Sequence, residues 1–293
     1  MTTVGVVGLG DMGIGMAGNL VKSGFTVLGH DLRDSRLDLL EQAGGGRSSG
    51  PADIGARSDI AFVMVMNGAQ AMDVITELKS TMASGKTIVV TATITPNEVR
   101  ELERVLVGSG IDLVDSPVSG GKAGADNGAL TLMLATKTEV LDRVRPVLDA
   151  MSTKIFHVGE NIGQGQTVKA SLQAVFGAYF GGIFEGLVLA SKAGVSGQVL
   201  HDVFTHSALA SPMLATCTKL IMDRKFEGTG SHIGTMYKDL GITMGLAREV
   251  GAAMFTTSAA YELFQTGKSM YPDGDNWTIV RVLEQIAETE VTW

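Results

Sequence analysis

The stretch TTVGVVGLGDMGIGMAGNLVKSG, residues 2–24, decides the fold. It opens on VGVV, a short apolar run of the kind a strand buried on both faces requires. Gly8, Gly10 and Gly13 follow at once as G-x-G-x-x-G, and helix-compatible residues then run to Gly24. Between a strand and a helix each glycine has a physical task. The first permits a tight turn, the second lets backbone approach a pyrophosphate, and the third lets helix pack on strand. The helix N-terminus then offers its N–H groups and dipole to the phosphates. The spacing predicts a dinucleotide held by the backbone of Gly8, Leu9, Gly10, Asp11, Met12 and Gly13.

The next apolar run, FTVLGH, ends in Asp31. A carboxylate there accepts hydrogen bonds from both ribose hydroxyls and repels a 2′-phosphate. That favours NAD. Arg33, two residues on, keeps NADP as the minority alternative.

Working outward, IAFVMVM, TIVVTAT, IDLVDSP, LTLMLAT and KIFHVG read as further strands. Helical segments near 12–23, 34–43, 69–82, 96–107 and 137–149 lie between them. Apolar strands alternating with helices imply a mostly parallel sheet covered on both faces. After Gly159 the period changes. Val168, Leu172, Phe176, Tyr179, Phe180, Ile183, Leu187 and Ala190 recur at helical spacing. They predict one helix from about Gln164 to Ala193, on the order of 45 Å long. The segments near 196–206, 211–223, 233–249, 256–267 and 276–289 also read as helices. The expected fold is an α/β Rossmann domain, residues 1–162, followed by an all-α domain, residues 163–293, with a long interdomain helix. The second domain would serve substrate binding and oligomerisation.

Composition narrows the partners. The net charge is −8, which repels nucleic acid and anionic membranes. A single cysteine, Cys217, permits no intramolecular disulfide and fits a reducing compartment. The start of the chain has no basic segment of the secretory type, and the apolar run Ala174–Phe184 is too short to span a bilayer. The expected location is the cytoplasm. Charged residues make up only 18%, below the roughly 25% usual for soluble domains, which hints at apolar surface buried between subunits. No metal is expected, because the five histidines show no ligand spacing. Ser84-Gly85-Lys86-Thr87 is no P-loop, since position 80 is serine and a strand follows.

Four stretches in series resemble the β-hydroxyacid dehydrogenases, the family that includes 3-hydroxyisobutyrate dehydrogenase and tartronate semialdehyde reductase. They are GLGDMGIGMAGNL (8–20), DSPVSGGKAGADNGAL (115–130), GQGQTVKASLQ (163–173) and YKDLGITM (237–244). The resemblance implies that Ser119, Gly120 and Gly121 hold the substrate carboxylate, that Lys169 is the catalytic acid/base, and that Lys238 lies near the nicotinamide. It implies that Met66, Asn67 and Thr93 contact the cofactor, and that the protein is a homodimer or homotetramer. Three departures stand out. Gln173 replaces the family's common asparagine, Ala92 its usual serine, and MVMNGAQ (64–70) its Leu-Pro segment. Gln173 and the Asn-x-Ala-Gln run resemble the subgroup that oxidises four-carbon sugar acids such as L-threonate, and GDNWTIVRVLE (274–284) is compatible with it.

Read from the residues alone, Lys169 and Gln173 are four apart on a predicted helix and share one face. A lysine there can exchange a proton while an amide holds a substrate oxygen. Hydride transfer from a carbinol carbon needs such a base. Burial and a second cation such as Lys238 would lower the lysine's pKa. The expected activity is NAD-dependent oxidation of a small hydroxy acid. 3-Hydroxyisobutyrate dehydrogenase and a tartronate semialdehyde or glyoxylate-type reductase are alternatives within the family. A non-catalytic NAD-binding scaffold or sensor is another, motivated by Gln173 and Ala92. An imine reductase is a third, and it often lacks the lysine found at position 169.

Overall fold

The computed structural model describes residues 2–293. The chain divides into two compact units, Met1–Lys169 and Ala170–Trp293. In chain order the first carries β1 (Thr3–Val7), α1 (Asp11–Lys22), β2 (Thr26–His30), α2 (Asp34–Gln42), β3 (Gly46–Arg47), α3 (Pro51–Arg57), β4 (Ile60–Val63) and α4 (Gly68–Thr81). It continues through β5 (Thr87–Val90), α5 (Pro96–Leu106), β6 (Asp112–Asp115), β7 (Val118–Ser119), α6 (Gly121–Asp126), β8 (Leu130–Ala135), α7 (Thr138–Asp149) and β9 (Ser152–Gly159). The helix α8 (Gln164–Lys192) starts in this unit and runs on past the division.

The strands form one nine-stranded sheet in the order β3-β2-β1-β4-β5-β6-β8-β7, with β9 paired to β8. Strands β1 to β6 pair parallel, whereas β6 and β7 pair antiparallel with β8. Alternation along each strand feeds two cores. Val4 and Val6 of β1, Phe62 of β4 and Val89 of β5 belong to one cluster. Val7, Ala61, Val63, Ile88 and Val90 belong to the other. Both faces are therefore covered, as the near-continuous apolar strands require.

Two strands and two helices of this unit escape the sequence pattern. β3 and β7 have two residues each, too few to show a period of two. The helices α3 (PADIGAR) and α6 (GKAGAD) are short and contain glycine, which weakens helix propensity.

The second unit holds most of α8 with α9 (Gly197–His206), α10 (Pro212–Met222), α11 (Ile233–Val250), α12 (Phe255–Met270), a 3-10 turn (Asn276–Ile279) and α13 (Val280–Ala287). The last two replace the single helix expected over 276–289. Phe180, Ile183, Phe184, Leu187 and Val188 of α8 pack with Leu214, Leu240, Phe264 and Ile279 in one core. At 29 residues, with an 18-residue window of mean hydropathy 1.5, α8 is long and apolar enough to cross a bilayer, unlike the shorter run singled out in the sequence. Its buried face belongs to that core, and Val168, Val175 and Leu189 remain exposed.

Candidate active site

The residues marked for a cofactor leave the sheet at the carboxyl ends of its strands. Gly8 to Gly10 follow β1, Asp31 follows β2, Met66 and Asn67 come after β4, and Thr93 comes after β5. In the order β3-β2-β1-β4-β5-β6 the winding reverses between β1 and β4, and ligands of such sheets bind outside the carboxyl ends at that point. At Gly8, φ is +92°, and an added Cβ would lie 2.2 Å from the Met64 carbonyl oxygen. At Gly13 it would lie 1.9 Å from the Gly8 oxygen. Space over Gly10 is open, the nearest atom being an Arg33 guanidinium nitrogen at 3.9 Å. The helix α1 starts there with no side-chain cap. Its leading N–H groups have no intrahelical partner and suit a phosphate. These residues fit the pyrophosphate of a dinucleotide.

Asp31 sits where a ribose acceptor belongs, but its carboxylate already has partners. Leu9 N–H donates to Oδ2 at 2.8 Å, and Arg33 donates to Oδ1 through its backbone N–H and Nε, each at 3.0 Å. Burial works to raise its pKa, and the hydrogen bonds from Arg33 and Leu9 outweigh it, holding the carboxyl below its ordinary value. The Arg33 side chain is more than half exposed, so a ribose hydroxyl can displace it.

The Asn-x-Ala-Gln run has a local structural task that the sequence reading missed. Asn67 Oδ1 accepts the Gln70 N–H at 2.9 Å, and Gln70 Oε1 accepts the Met66 N–H at 3.0 Å. Asn67 is thereby the side-chain N-cap of α4, and the Gln70 side chain reaches back to the N–H of the residue before the cap. The N-x-x-Q spacing was the signal that could have revealed it.

Thr93 lies in a loop held on both sides by one distant side chain. Gln166 Nε2 donates to the Ala92 carbonyl at 3.0 Å, and Gln166 Oε1 accepts the Ile94 N–H at 3.2 Å. Asp115, at the end of β6, grips the same turn of α8. Its Oδ2 accepts the N–H groups of Gly163 at 2.9 Å and Gln166 at 3.3 Å. Asp115 is fully buried, and burial pushes its carboxyl up to about 6 despite these donors. The start of α8 is thereby fixed to the ends of β5 and β6, and Lys169 follows within the next turn. Lys169 is only 7% exposed, which rules out a solvated surface lysine.

Ser119 closes β7 and is half-buried. Gly120 and Gly121 follow with φ of +130° and +59°, a turn that L side chains resist, and lead into α6. Ser119, Gly120, Gly121, Lys169 and every cofactor candidate except Lys238 lie in the first unit, and Gln173 and Lys238 lie in the second. Lys169 and Gln173 share α8 at the expected spacing.

Within the second unit Gln173 and Lys238 meet at Asp239, a buried carboxylate that sequence reasoning did not single out. Gln173 Nε2 donates to Asp239 Oδ2 at 2.6 Å, and Lys238 Nζ lies 3.0 Å from Asp239 Oδ1. Thr243 Oγ1 donates to the carbonyls of Ala170 and Asp239, each at 3.0 Å, and ties α11 to α8. The GDN segment supports α11 from its N-terminal side. Asp275 accepts the N–H groups of Thr229 at 2.7 Å and Ser231 at 3.1 Å.

Residues 3–159 match the family described as the NAD-binding domain of 6-phosphogluconate dehydrogenase. Residues 163–283 match the NAD-binding family of NADP-dependent 3-hydroxyisobutyrate dehydrogenase. An L-threonate dehydrogenase of Cupriavidus necator is 31% identical over 97% of this chain and 96% of its own. A 2-(hydroxymethyl)glutarate dehydrogenase of Eubacterium barkeri is 30% identical over 99% of this chain and 97% of its own. The crystal structure of Mycobacterium tuberculosis 3-hydroxyisobutyrate dehydrogenase with L-serine superposes at a TM-score of 0.89, with 28% identity over 97% of this chain and 99% of that one. The glycine-rich turn, the strand order and these full-length likenesses agree: the chain belongs to the β-hydroxyacid dehydrogenases of the 3-hydroxyisobutyrate dehydrogenase type, and is an NAD(P)-dependent hydroxyacid dehydrogenase.

Proposed function

We propose that this protein oxidises the hydroxyl of a small polyhydroxy acid, a four-carbon sugar acid such as L-threonate, with NAD and with Lys169 as general acid/base. The observation that carries this reading is a buried lysine just beyond a helix start anchored by Asp115 and Gln166. The bound nicotinamide supplies the hydride acceptor. Lys169 Nζ takes the hydroxyl proton as the carbinol carbon loses hydride, and in the reverse direction its ammonium returns the proton to the forming alkoxide. Ser119, through its hydroxyl, and the backbone N–H groups at Gly120 and Gly121 hold the substrate carboxylate. Gln173 and Lys238 bind the substrate, and Lys238 also serves the cofactor. Gly8 to Gly13, Asp31, Met66, Asn67 and Thr93 form the cofactor's side of the site. Asp31 favours NAD, and the exposed Arg33 beside it leaves NADP usable. The choice of substrate rests on Gln173, on the Asn67 to Gln70 run and on the likeness to L-threonate dehydrogenases. The enzyme works in the cytoplasm as a homodimer or homotetramer, joined through the exposed apolar residues of α8.

The test is NAD reduction against L-threonate, D-threonate, erythronate, 3-hydroxyisobutyrate, glycerate and serine, with Lys169→Ala in parallel. We expect turnover of a four-carbon acid that falls by about 10²–10⁴ in the variant, the usual worth of a general base, with NAD still bound. Turnover of only 3-hydroxyisobutyrate or glycerate would keep the mechanism and refute the sugar-acid assignment. Wild-type activity retained in the variant would refute the role of Lys169.

A further inference from the structure

Resting on the reading of Ser119 to Gly121 as the turn that holds the substrate carboxylate, we propose that Asn19 is a positioning residue for the acid: through it the cofactor helix α1 fixes α6 and the turn that leads into it. Asn19 is buried and lies about two turns past the start of α1. Its Nδ2 donates to the Gly15 carbonyl of its own helix at 2.9 Å. The same nitrogen donates to the carbonyls of Ala125 at 2.6 Å and Asp126 at 3.4 Å, at the end of α6. The last carbonyls of a helix lack intrahelical donors, and Asn19 supplies them. Rotating the amide would set Oδ1 against three acceptors, so the network fixes its orientation. Gly15 lets the two backbones meet. A Cβ there would lie 2.7 Å from the Ala125 carbonyl carbon and 2.9 Å from the Asp126 nitrogen. Ala125 is fully buried in the cluster that holds Met16, Ala17 and Leu20 of α1.

The short helix needs this outside support. At six residues α6 is too short to be stable alone. It lies between glycine turns, with φ of +130° and +59° at Gly120 and Gly121 and +63° at Gly128. Where α6 docks therefore decides where residues 119–121 stand. The helix it docks on is itself anchored, since Gly13 packs against the Gly8 carbonyl. A dinucleotide at the start of α1 steadies that helix, and through Asn19 it steadies α6 and the turn that meets the acid. Order already imposed by the cofactor is order the acid does not have to impose, so the acid binds more tightly to the loaded enzyme. Loss of the Asn19 contact weakens the hold on ground state and transition state alike, which raises KM and leaves kcat.

The experiment uses the full-length enzyme and the panel acid with the fastest turnover, and compares wild type with Asn19→Ala, Gly15→Ala and Ser119→Ala. Acid and NADH together cannot react, so calorimetry gives the Kd of the acid with and without NADH. We expect KM for the acid to rise about 10-fold in Asn19→Ala, while kcat and the Kd for NADH stay within about threefold. The tightening of the acid by NADH shrinks in the same variant. Gly15→Ala, which pushes α6 off α1, gives the same pattern. In wild type, NADH alone slows hydrogen exchange at the amides of residues 127–129, at the far end of α6. A raised KM in Ser119→Ala with an unmoved KM in Asn19→Ala would overturn the role of Asn19 and keep the carboxylate reading. A fall in kcat without a rise in KM in Asn19→Ala would do the same. An unmoved KM in Ser119→Ala, or turnover of no hydroxy acid with either NAD or NADP, would overturn the underlying reading and this inference together. If neither helix variant folds, the wild-type exchange decides: no slowing at residues 127–129 would overturn the coupling.

Discussion

Replacing Asp115 by asparagine tests the anchor of α8 through its pH dependence. The carboxyl titrates at about 6 against an ordinary 3.8, because burial penalises its charge more than the N–H groups of Gly163 and Gln166 repay. The folded chain thus holds this proton more tightly than the unfolded chain. Between those two values the native state binds more protons, so the stability due to this group rises as pH falls through 6 and levels off below 3.8. The full gap is worth about 3 kcal/mol at 1.36 kcal/mol per pH unit, and about 1.4 kcal/mol of it is reached between pH 8 and pH 5. Asp31, Asp53, Asp59 and Asp223 act in the opposite sense. Their folded values are lowered, and the stability they add at neutral pH is lost on acidification. The wild-type curve mixes these effects, and the variant isolates one. The asparagine Oδ1 can still accept both N–H groups, but it does not titrate. Melting of both proteins from pH 8 to pH 5 is therefore expected to show the variant losing ground, by about 3–6 °C relative to wild type, at 2–4 °C per kcal/mol. Tm values that fall in parallel over that range would refute the argument that Asp115 is buried as a reluctant anion.

Three further outcomes follow from the geometry. Arg33→Ala removes the cation beside Asp31 and is expected to lower kcat/KM with NADP at least tenfold more than with NAD, a 1.4 kcal/mol difference; equal losses would remove Arg33 from cofactor choice. Gly13→Ala puts a Cβ 1.9 Å from the Gly8 carbonyl oxygen; it is expected to weaken NAD binding more than tenfold by calorimetry, while unchanged affinity would show that the turn yields. Val175→Lys with Leu189→Lys charges the exposed face of α8; light scattering should report a smaller particle than wild type, and an unchanged mass would place any subunit contact elsewhere.

The Rossmann fold was legible because its signals are local. An apolar run, three spaced glycines and an acid at the end of the next strand occupy residues 4–31, and each has its own mechanical reason. The helices of the second unit were legible because 3.6-residue periodicity persists over α8 and α11. What lay hidden has two physical causes. β3, β7, α3 and α6 are too short for any period to accumulate. The bonds of Gln166 and Asp115 span 48 to 74 residues, so nothing near either residue announces a partner. In the sequence Gln166 is one more polar residue in GQGQTVK.

That hidden layer bears on how the lysine we propose as general acid/base can be placed. Proton transfer needs a donor and acceptor held near hydrogen-bonding distance, and a misplacement of about 1 Å can cost a hundredfold. A lysine side chain has four rotatable bonds, so its own stiffness cannot supply such precision. The backbone beneath it has to be fixed instead. Asp115 takes two N–H groups at the start of α8, and Gln166 binds the loop after β5 at two points. Gly165 supports both, for a Cβ there would lie 2.6 Å from the Met133 carbonyl oxygen and 2.9 Å from that of Asp115. Three consecutive strands of the sheet, β5, β6 and β8, thus locate the helix turn that leads to Lys169. The glycines and glutamines of GQGQTVK are the fittings of that joint.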